Sequence, residues 1–347
     1  MVCKRCAHPH YVYFSCGHSR CPICQSIKRE QIADKLSASL LAVPYVHLVT
    51  TMPHVFNKLA RLYPNEMYNL LFGSTNATVN ELASNKDHLG AKTGMISVLH
   101  TWGSDMNYHV HVHSLLTFGG IDESGEWQYP KHKMRLCRNS KFRETFKRIF
   151  LEGLKVLFEE GRIKYHETYH ELVSAVIDKQ WSLFVTHPTM ETKTIEVYIA
   201  RYINRIAVSN SKLEYIKSKE EVHLICNDYK RQKEGEVAPK KVIKMDPLAF
   251  LHQLLQHLPP PYYQRTRRYG LHASAISKKY KRTIENKLKR NGRTVRTVME
   301  IITHLMKNDV FVCQKCSSEE IEKVPMTADR EWKYRWLTLP QIRSPDG

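Results

Sequence analysis

The sequence predicts an α/β or α+β sandwich that follows a metal-binding knuckle. Three observations carry this. Runs rich in β-branched and aromatic residues are separated by long helical patterns between Tyr45 and Ile225. Five of the nine cysteines (Cys3, Cys6, Cys16, Cys21 and Cys24) fall in the first 24 residues. The 347 residues carry 53 Lys and Arg against 34 Asp and Glu, a formal net charge of +19, and 42% of them are apolar. A packed core and a polyanionic partner are therefore both expected, and a disordered polycation is excluded as the whole description. No run approaches the ~18 uninterrupted apolar residues of a membrane span. The opening Met1-Val2-Cys3-Lys4-Arg5-Cys6 has no apolar signal segment. These features predict a soluble cytoplasmic protein with no membrane partner, and a nucleic acid is the expected polyanion.

The elements follow in order. Ile27, Ile32, Leu36 and Leu40 mark a helix leaving the cysteine-rich start, ended by Pro44. Tyr45 to Met52 reads as a strand. Phe56, Leu59, Leu62, Met67, Leu70 and Leu71 mark a helical stretch after Pro53-His54. Gly94 to Leu99 and Tyr108 to Phe118 are strands, the latter closed by Gly119-Gly120. A helix over Phe142 to Phe158 carries Phe146, Ile149, Phe150, Leu154 and Leu157 as its apolar stripe. Trp181 to Val185 is a strand, Ile195 to about Ala207 a helix, and Val222 to Ile225 a short strand. A basic, polar connector runs to about Lys244, and the remainder reads as mainly helical. Three parts are expected: a zinc-binding knuckle over 1–30, a catalytic domain over 31–235, and a basic, mainly helical DNA-binding region over 236–347.

C-x-x-C pairs in a reducing compartment read first as metal chelates. Cys3/Cys6 and Cys21/Cys24 put two thiolates on one side of a tight turn each, and two such turns close a tetrahedron around a structural zinc ion. Cys16 and His18 are alternative ligands, which makes six candidates for four positions. A closed thiolate site has no open position for a substrate, so its role is structural. Cys313 and Cys316 form half a site, which either meets another half in space or stands as a decayed knuckle.

Tyr108-His109-Val110-His111-Val112-His113 alternates faces as a strand, so the three histidines share one face. His111 and His113 lie deeper in the apolar run and are the better pair for a divalent ion, with His109 as a neighbour. His47, in the strand Tyr45 to Met52, is the candidate third ligand if the two strands adjoin. An acid, an amide or a bound water are the alternatives.

In the helix from Ile195, isoleucines 195, 199, 203 and 206 form the buried stripe. Tyr198 and Tyr202 sit one turn apart on its shoulder, with Arg201 and Arg205 on the basic flank. An amphipathic helix with tyrosines at its buried margin would look the same. Beside a histidine metal strand, however, i,i+4 phenols can serve one site in turn. A phenol is a weak nucleophile at its free pKa of about 10, and a divalent ion on a scissile phosphate compensates by withdrawing charge. From Arg265 to Arg296 twelve Lys or Arg meet one acid, Glu285, with Tyr262, Tyr263, Tyr269 and Tyr280 interleaved or adjacent. Arg265, Arg267, Arg268, Lys278 and Lys279 are candidate phosphate contacts, and tyrosines can stack on unpaired bases.

Together, Ser15–Gln25 (SCGHSRCPICQ), His47–His54 (HLVTTMPH), Leu99–Gly103 (LHTWG), His109–His113 (HVHVH), Tyr198–Asn210 (YIARYINRIAVSN) and Arg265–Leu271 (RTRRYGL) resemble the rolling-circle insertion-sequence transposases of the HUH endonuclease superfamily that carry an N-terminal zinc-binding domain. The resemblance spans about residues 3 to 320. It implies an α+β fold, an HUH-type antiparallel sheet flanked by helices, with the N-terminal zinc knuckle and a basic helical C-terminal region. It further implies that His111 and His113 are paired ligands of Mg²⁺ or Mn²⁺, and that Tyr198 and Tyr202 are the nucleophiles of the two-tyrosine type. The activity expected is single-strand nicking and strand transfer through a 5′-phosphotyrosine on single-stranded or melted element ends. The competing readings are a plasmid or phage rolling-circle replication initiator and a non-catalytic zinc-containing DNA-binding protein.

Overall fold

The structure, a computed structural model, describes residues 2–9, 22–190, 207–208, 212–232, 236–275, 280, 283–284, 288, 295–306, 312–313 and 315–322. In order, the elements are β1 (Val2–Cys3), α1 (Pro22–Ser39), β2 (Tyr45–Thr51), a 3-10 turn at His54–Phe56, α2 (Asn57–Leu62), α3 (Pro64–Ser84), β3 (Gly94–Trp102), β4 (Tyr108–Thr117), β5 (Gly120–Ile121), β6 (Trp127–Gln128), α4 (Asn139–Glu159), α5 (Tyr169–Ser174) and β7 (Leu183–Val185). There follow β8 (Leu213–Ile216), β9 (Glu221–Asn227), a 3-10 turn at Tyr229–Arg231, β10 (Lys240–Met245), α6 (Pro247–Leu255), β11 (Thr266–Gly270), α7 (Val298–Met306) and β12 (Ile321–Glu322). They divide into two compact units, one of Met1–Leu36 with Arg293–Gly347 and one of Ser37–Gly292.

The larger unit is built on a five-stranded sheet of order β11-β3-β4-β2-β7, every neighbour antiparallel. β4 lies at its centre because it is apolar or half-polar along its whole length and buried from Val110 onward. One face of the sheet presents Leu99, Val110 and Val112, which pack with Leu71 and Phe72 of α3 and Phe146 and Phe150 of α4. The same face continues through Val46, Leu48, Met95 and Leu116 against Val79, Leu82 and Phe142. Polar groups pair within this core: the Ser97 and Ser114 hydroxyls lie 2.7 Å apart across β3 and β4, and those of Thr50 and Thr75 lie 2.7 Å apart between β2 and α3. The histidines of β4 therefore belong to the other face.

Local chemistry sets the helix starts. Pro64 opens α3 at a position whose N–H would have no helical partner. Asp246 caps α6, its carboxylate accepting from the Leu248 and Ala249 amides. Thr168 and Glu171 close a reciprocal capping box on α5.

Among the described residues the expected strands and long helices form, with β3 running on to Trp102, whereas the helix expected from Ile195 to about Ala207 lies almost wholly outside them. The stretch expected as a polar connector instead supplies β10, which joins β9 and β8 in a three-stranded antiparallel sheet. Its alternation of Lys240, Val242 and Lys244 with half-buried Lys241, Ile243 and Met245 is that of a strand with one wet face. In the C-terminal region, α6 and α7 form, and between them Thr266–Gly270 adds an edge strand to the central sheet. That strand ends at Gly270, at φ +57, where any Cβ would come within 1.9 Å of the Thr93 carbonyl oxygen. No helix among the described residues is long and apolar enough to cross a membrane.

Candidate active site

The antiparallel register decides which histidines meet. β3 and β4 are joined by the short Gly103–Asn107 turn, with Met106 at φ +60 and the Asp105 carboxylate accepting from the Asn107 amide at 3.2 Å. This hairpin sets His100 directly opposite His111, and Val98 opposite His113. Beyond His100 the register shifts, a bulge of the kind that re-aims side chains at a sheet's working end. On the other side of β4, His47 of β2 pairs with Leu115 and so sits diagonal to His113 on the same face.

His100, His111 and His113 are all buried, and their ring nitrogens converge within 4.8 Å of one another. His111 donates its Nδ1–H to the His109 carbonyl oxygen at 2.8 Å, which turns its Nε2 lone pair inward. That Nε2 faces the Nε2 of His113 at 3.1 Å. His113 Nδ1 in turn lies 2.9 Å from His47 Nε2. The His100 ring stacks on Trp102 with centroids 4.7 Å apart and meets His113 edge-on at 4.6 Å. Two imidazole Nε2 atoms this close, with a third ring beside them, favour a shared cation. The donor set fits a divalent metal ion.

His47 stands behind this trio. Its amide donates to Thr186 Oγ1 at 2.9 Å, and its ring stacks on His113 with centroids 5.1 Å apart and touches the edge of Phe184. Burial pushes its pKa down to about 4, and its ring is placed to orient His113. The residue converging with His111 and His113 is thus His100. His109 lies at the margin, its ring 5.0 Å from that of exposed His54, and burial together with that neighbour lowers its pKa. His100 carried a sequence signal: a strand, a five-residue turn and a second strand imply an antiparallel hairpin whose register sets it against the histidine run.

The arginines of β11 fall on opposite faces. The Arg267 guanidinium lies 4.4 Å over the Phe72 ring and 5.4 Å from Tyr263, donates to the Tyr263 hydroxyl at 3.1 Å, and also donates to Asn69 Oδ1. It clamps β11 to α3. Arg268, opposite Ile96, is exposed and belongs to the histidine face. The Arg265 carbonyl accepts from the Leu99 amide and prolongs the β11–β3 pairing. Tyr263 packs on the core, whereas Tyr262 is fully exposed.

Tyr198, Tyr202, Arg201, Arg205, Lys278, Lys279, Cys16, His18 and Cys21 lie outside the described residues, as does the side chain of Cys24. Cys3 and Cys6 are described and lie with Cys313 and Cys316, the four sulfurs within 4.8 Å of one another.

The sheet, its helices and the trio define an α+β protein with a polyhistidine metal centre and a separate thiolate cluster. A family model described as "Putative transposase" matches residues 94–280, and one described as transposase zinc-binding domain matches residues 1–52. The chain belongs to this family, the rolling-circle HUH transposases of insertion sequences, and so to the enzymes that act on DNA. It is 30% identical over 279 residues to "Putative transposase y4qJ" of Sinorhizobium fredii, covering 78% of this chain and 68% of that protein. It is 24% identical over 324 residues to the "Transposase for insertion sequence element IS801" of Pseudomonas savastanoi pv. phaseolicola, covering 91% and 76%. No solved structure matches.

Proposed function

We propose that the chain nicks and rejoins single-stranded or locally melted DNA at the ends of its element, through a phosphotyrosine intermediate. The observation that carries this reading is the convergence of His100, His111 and His113 on one sheet face, in a transposase whose sequence holds two phenols at i,i+4 spacing. His100, His111 and His113 hold a divalent ion, which when bound draws charge from the scissile phosphate. His47 keeps the His113 ring in the orientation that presents Nε2 inward. The phenol oxygen of Tyr198 or Tyr202 bonds to phosphorus and yields its proton to solvent. The P–O3′ bond breaks, and the departing 3′ oxygen keeps the bonding pair and takes up a proton. A 5′-phosphotyrosine and a free 3′-hydroxyl result. No nucleotide cofactor is required, because the ester linkage is conserved for rejoining. Arg201 and Arg205 flank the phenols and suit the neighbouring phosphates. Three nitrogen donors favour a transition-type divalent ion such as Mn²⁺ over Mg²⁺, whose ligands are characteristically oxygens.

Tyr198 sits roughly 40° farther from the isoleucine stripe than Tyr202 on a helical projection, which assigns it the first attack. Incubating the full chain with an end-labelled single strand from the element terminus and Mn²⁺ should give a covalent adduct that peptide mass spectrometry maps to Tyr198. An adduct solely at Tyr202 reverses the order of use. Cleavage with no adduct at either tyrosine replaces the mechanism by hydrolysis.

A further inference from the structure

The sequence holds two short motifs of the same form at positions far apart, Cys3-Lys4-Arg5-Cys6-Ala7-His8 and Cys313-Gln314-Lys315-Cys316-Ser317-Ser318. Their backbones repeat each other. The Cys3 amide donates to the His8 carbonyl at 3.1 Å, and the Cys313 amide donates to the Ser318 carbonyl at 2.9 Å. The Ala7 amide returns to the Cys3 carbonyl at 2.9 Å, and the Ser317 amide to the Cys313 carbonyl at 2.8 Å. Ala7 and Ser317 both adopt the left-handed conformation, at φ +57 and φ +55, which costs a residue bearing a Cβ and persists where the surroundings enforce it. Two copies of one strained turn each aim two sulfurs to the same side.

The two turns face each other. Cys3 Sγ lies 3.6 Å from Cys316 Sγ, and Cys6 Sγ lies 3.5 Å from Cys313 Sγ. These separations are far from the ~2.05 Å of a disulfide and close to the ~3.8 Å edge of a tetrahedron with Zn–S bonds of ~2.3 Å. Cys3 and Cys313 are buried. Beside the cluster β1 and β12 pair antiparallel, Val2 with Glu322 and Cys3 with Ile321. The transposase zinc-binding domain matches residues 1–52 alone, so half of this sulfur set lies far outside it.

We propose that Cys3, Cys6, Cys313 and Cys316 bind one zinc ion that fastens the N-terminal knuckle to the C-terminal segment. The zinc-binding domain is then completed by a pair some three hundred residues along the chain. Tying such distant points removes loop entropy from the unfolded chain. Cys3 and Cys6 then do not share this ion with Cys21 and Cys24. The proposal concerns structure and stands independently of the nicking reaction.

Metal analysis of the purified full chain tests it. The C313S/C316S variant should lose one zinc equivalent, the C3S/C6S variant the same one, and the fourfold variant no more than one. If C313S/C316S keeps its full zinc while C3S/C6S and C21S/C24S lose one shared equivalent, the staple is overturned. A measurement on the unaltered protein guards against misfolding of the variants. Iodoacetamide labelling read by peptide mass spectrometry should find all four cysteines protected and released together as chelator is added. Labelling of Cys313 and Cys316 while Cys3 and Cys6 stay protected overturns it as well.

Discussion

The histidine cluster and the thiolate cluster gather metal-ligand atoms by different means. The first is assembled by a sheet: His111 and His113 come from alternate positions of one strand, and His100 from the strand hydrogen-bonded beside it. Its rings lie on a face of a strand whose other face is packed in the core, so their positions follow from the fold of the larger unit. The second is assembled by two turns from distant parts of the sequence, joined by a two-residue strand pairing. There the sulfurs help to hold the unit together. One cluster suits chemistry, because three nitrogens leave at least one coordination position of a divalent ion to another group. The other is a closed four-sulfur set suited to folding. Removing a ligand should therefore cost activity in the first and structure in the second.

The largest effect tests the first half of that contrast. His111→Ala or His113→Ala should lower the nicking rate on the order of 10²–10⁴-fold, the scale of several kcal/mol of lost charge stabilisation. DNA affinity should remain nearly unchanged, because it rests on distributed cations. Thermal stability should also shift little. A variant that nicks normally, measured on a labelled single strand, would remove the metal centre from the mechanism. One that unfolds would show that the histidines act as the cysteines do.

Next comes a residue that belongs to the structural half despite its charge. Arg296 donates from Nε to Asp34 Oδ2 at 2.8 Å, and from Nη2 to Asp34 Oδ1 at 2.9 Å and to Glu30 Oε2 at 2.6 Å. Asp34 is only 2% exposed. Arg296→Ala would strip that buried carboxylate of its guanidinium partner, a loss of about 3–5 kcal/mol. The expected readout is a lower unfolding temperature and faster proteolysis near α1, with the nicking rate per folded molecule preserved. Arg296→Lys keeps the charge but not the two-pronged geometry, and should fall between.

His47 sharpens the contrast from within the sheet. Its ring touches His113 but stands outside the converging trio. His47→Ala should weaken Mn²⁺ binding, followed by titration calorimetry, by about 10–100-fold, the usual cost of losing a group that orients a ligand. His47→Gln should recover part of it through an amide placed near His113 Nδ1. A complete loss of binding in both variants would make His47 a ligand.

How much of this was legible depended on distance along the chain. The β4 histidines could be assigned to one face from their spacing alone, since strand alternation is local. His100 required one further step, the hairpin register across the Gly103–Asn107 turn. That Cys313 and Cys316 are half a site was legible, but not that Cys3 and Cys6 are the half they meet. Nothing local relates those turns, and the nearer Cys21/Cys24 pair offered the same spacing. Arg296 looked like one more cation in a basic run, because burial of Asp34 has no signature in the neighbourhood of residue 296. Tyr198 and Tyr202 remain sequence-based assignments, being outside the described residues.

The smallest effect separates two adjacent arginines that sequence could not distinguish. Strand alternation sends Arg267 to the helix-covered face, where Phe72, Tyr263 and Asn69 occupy its guanidinium. It sends exposed Arg268 to the face that carries the histidines. A phosphate contact adds a counterion-release term of ~0.7 per charge on a single strand. Arg268→Gln should therefore reduce the slope of log affinity against log salt by about that amount, alike for many sequences, and leave stability within about 0.5 kcal/mol. Arg267→Gln should leave the slope nearly unchanged. It should instead lower stability, because a cation stacked on Phe72 and hydrogen-bonded to Tyr263 is lost between β11 and α3, a change of about 1–2 kcal/mol. Fluorescence anisotropy across a salt series and thermal unfolding read the two quantities separately. If both variants flatten the slope equally, the clamp on Arg267 opens to DNA and the division between its two faces fails. If only Arg268 flattens it, the histidine face is the one turned toward the phosphate backbone.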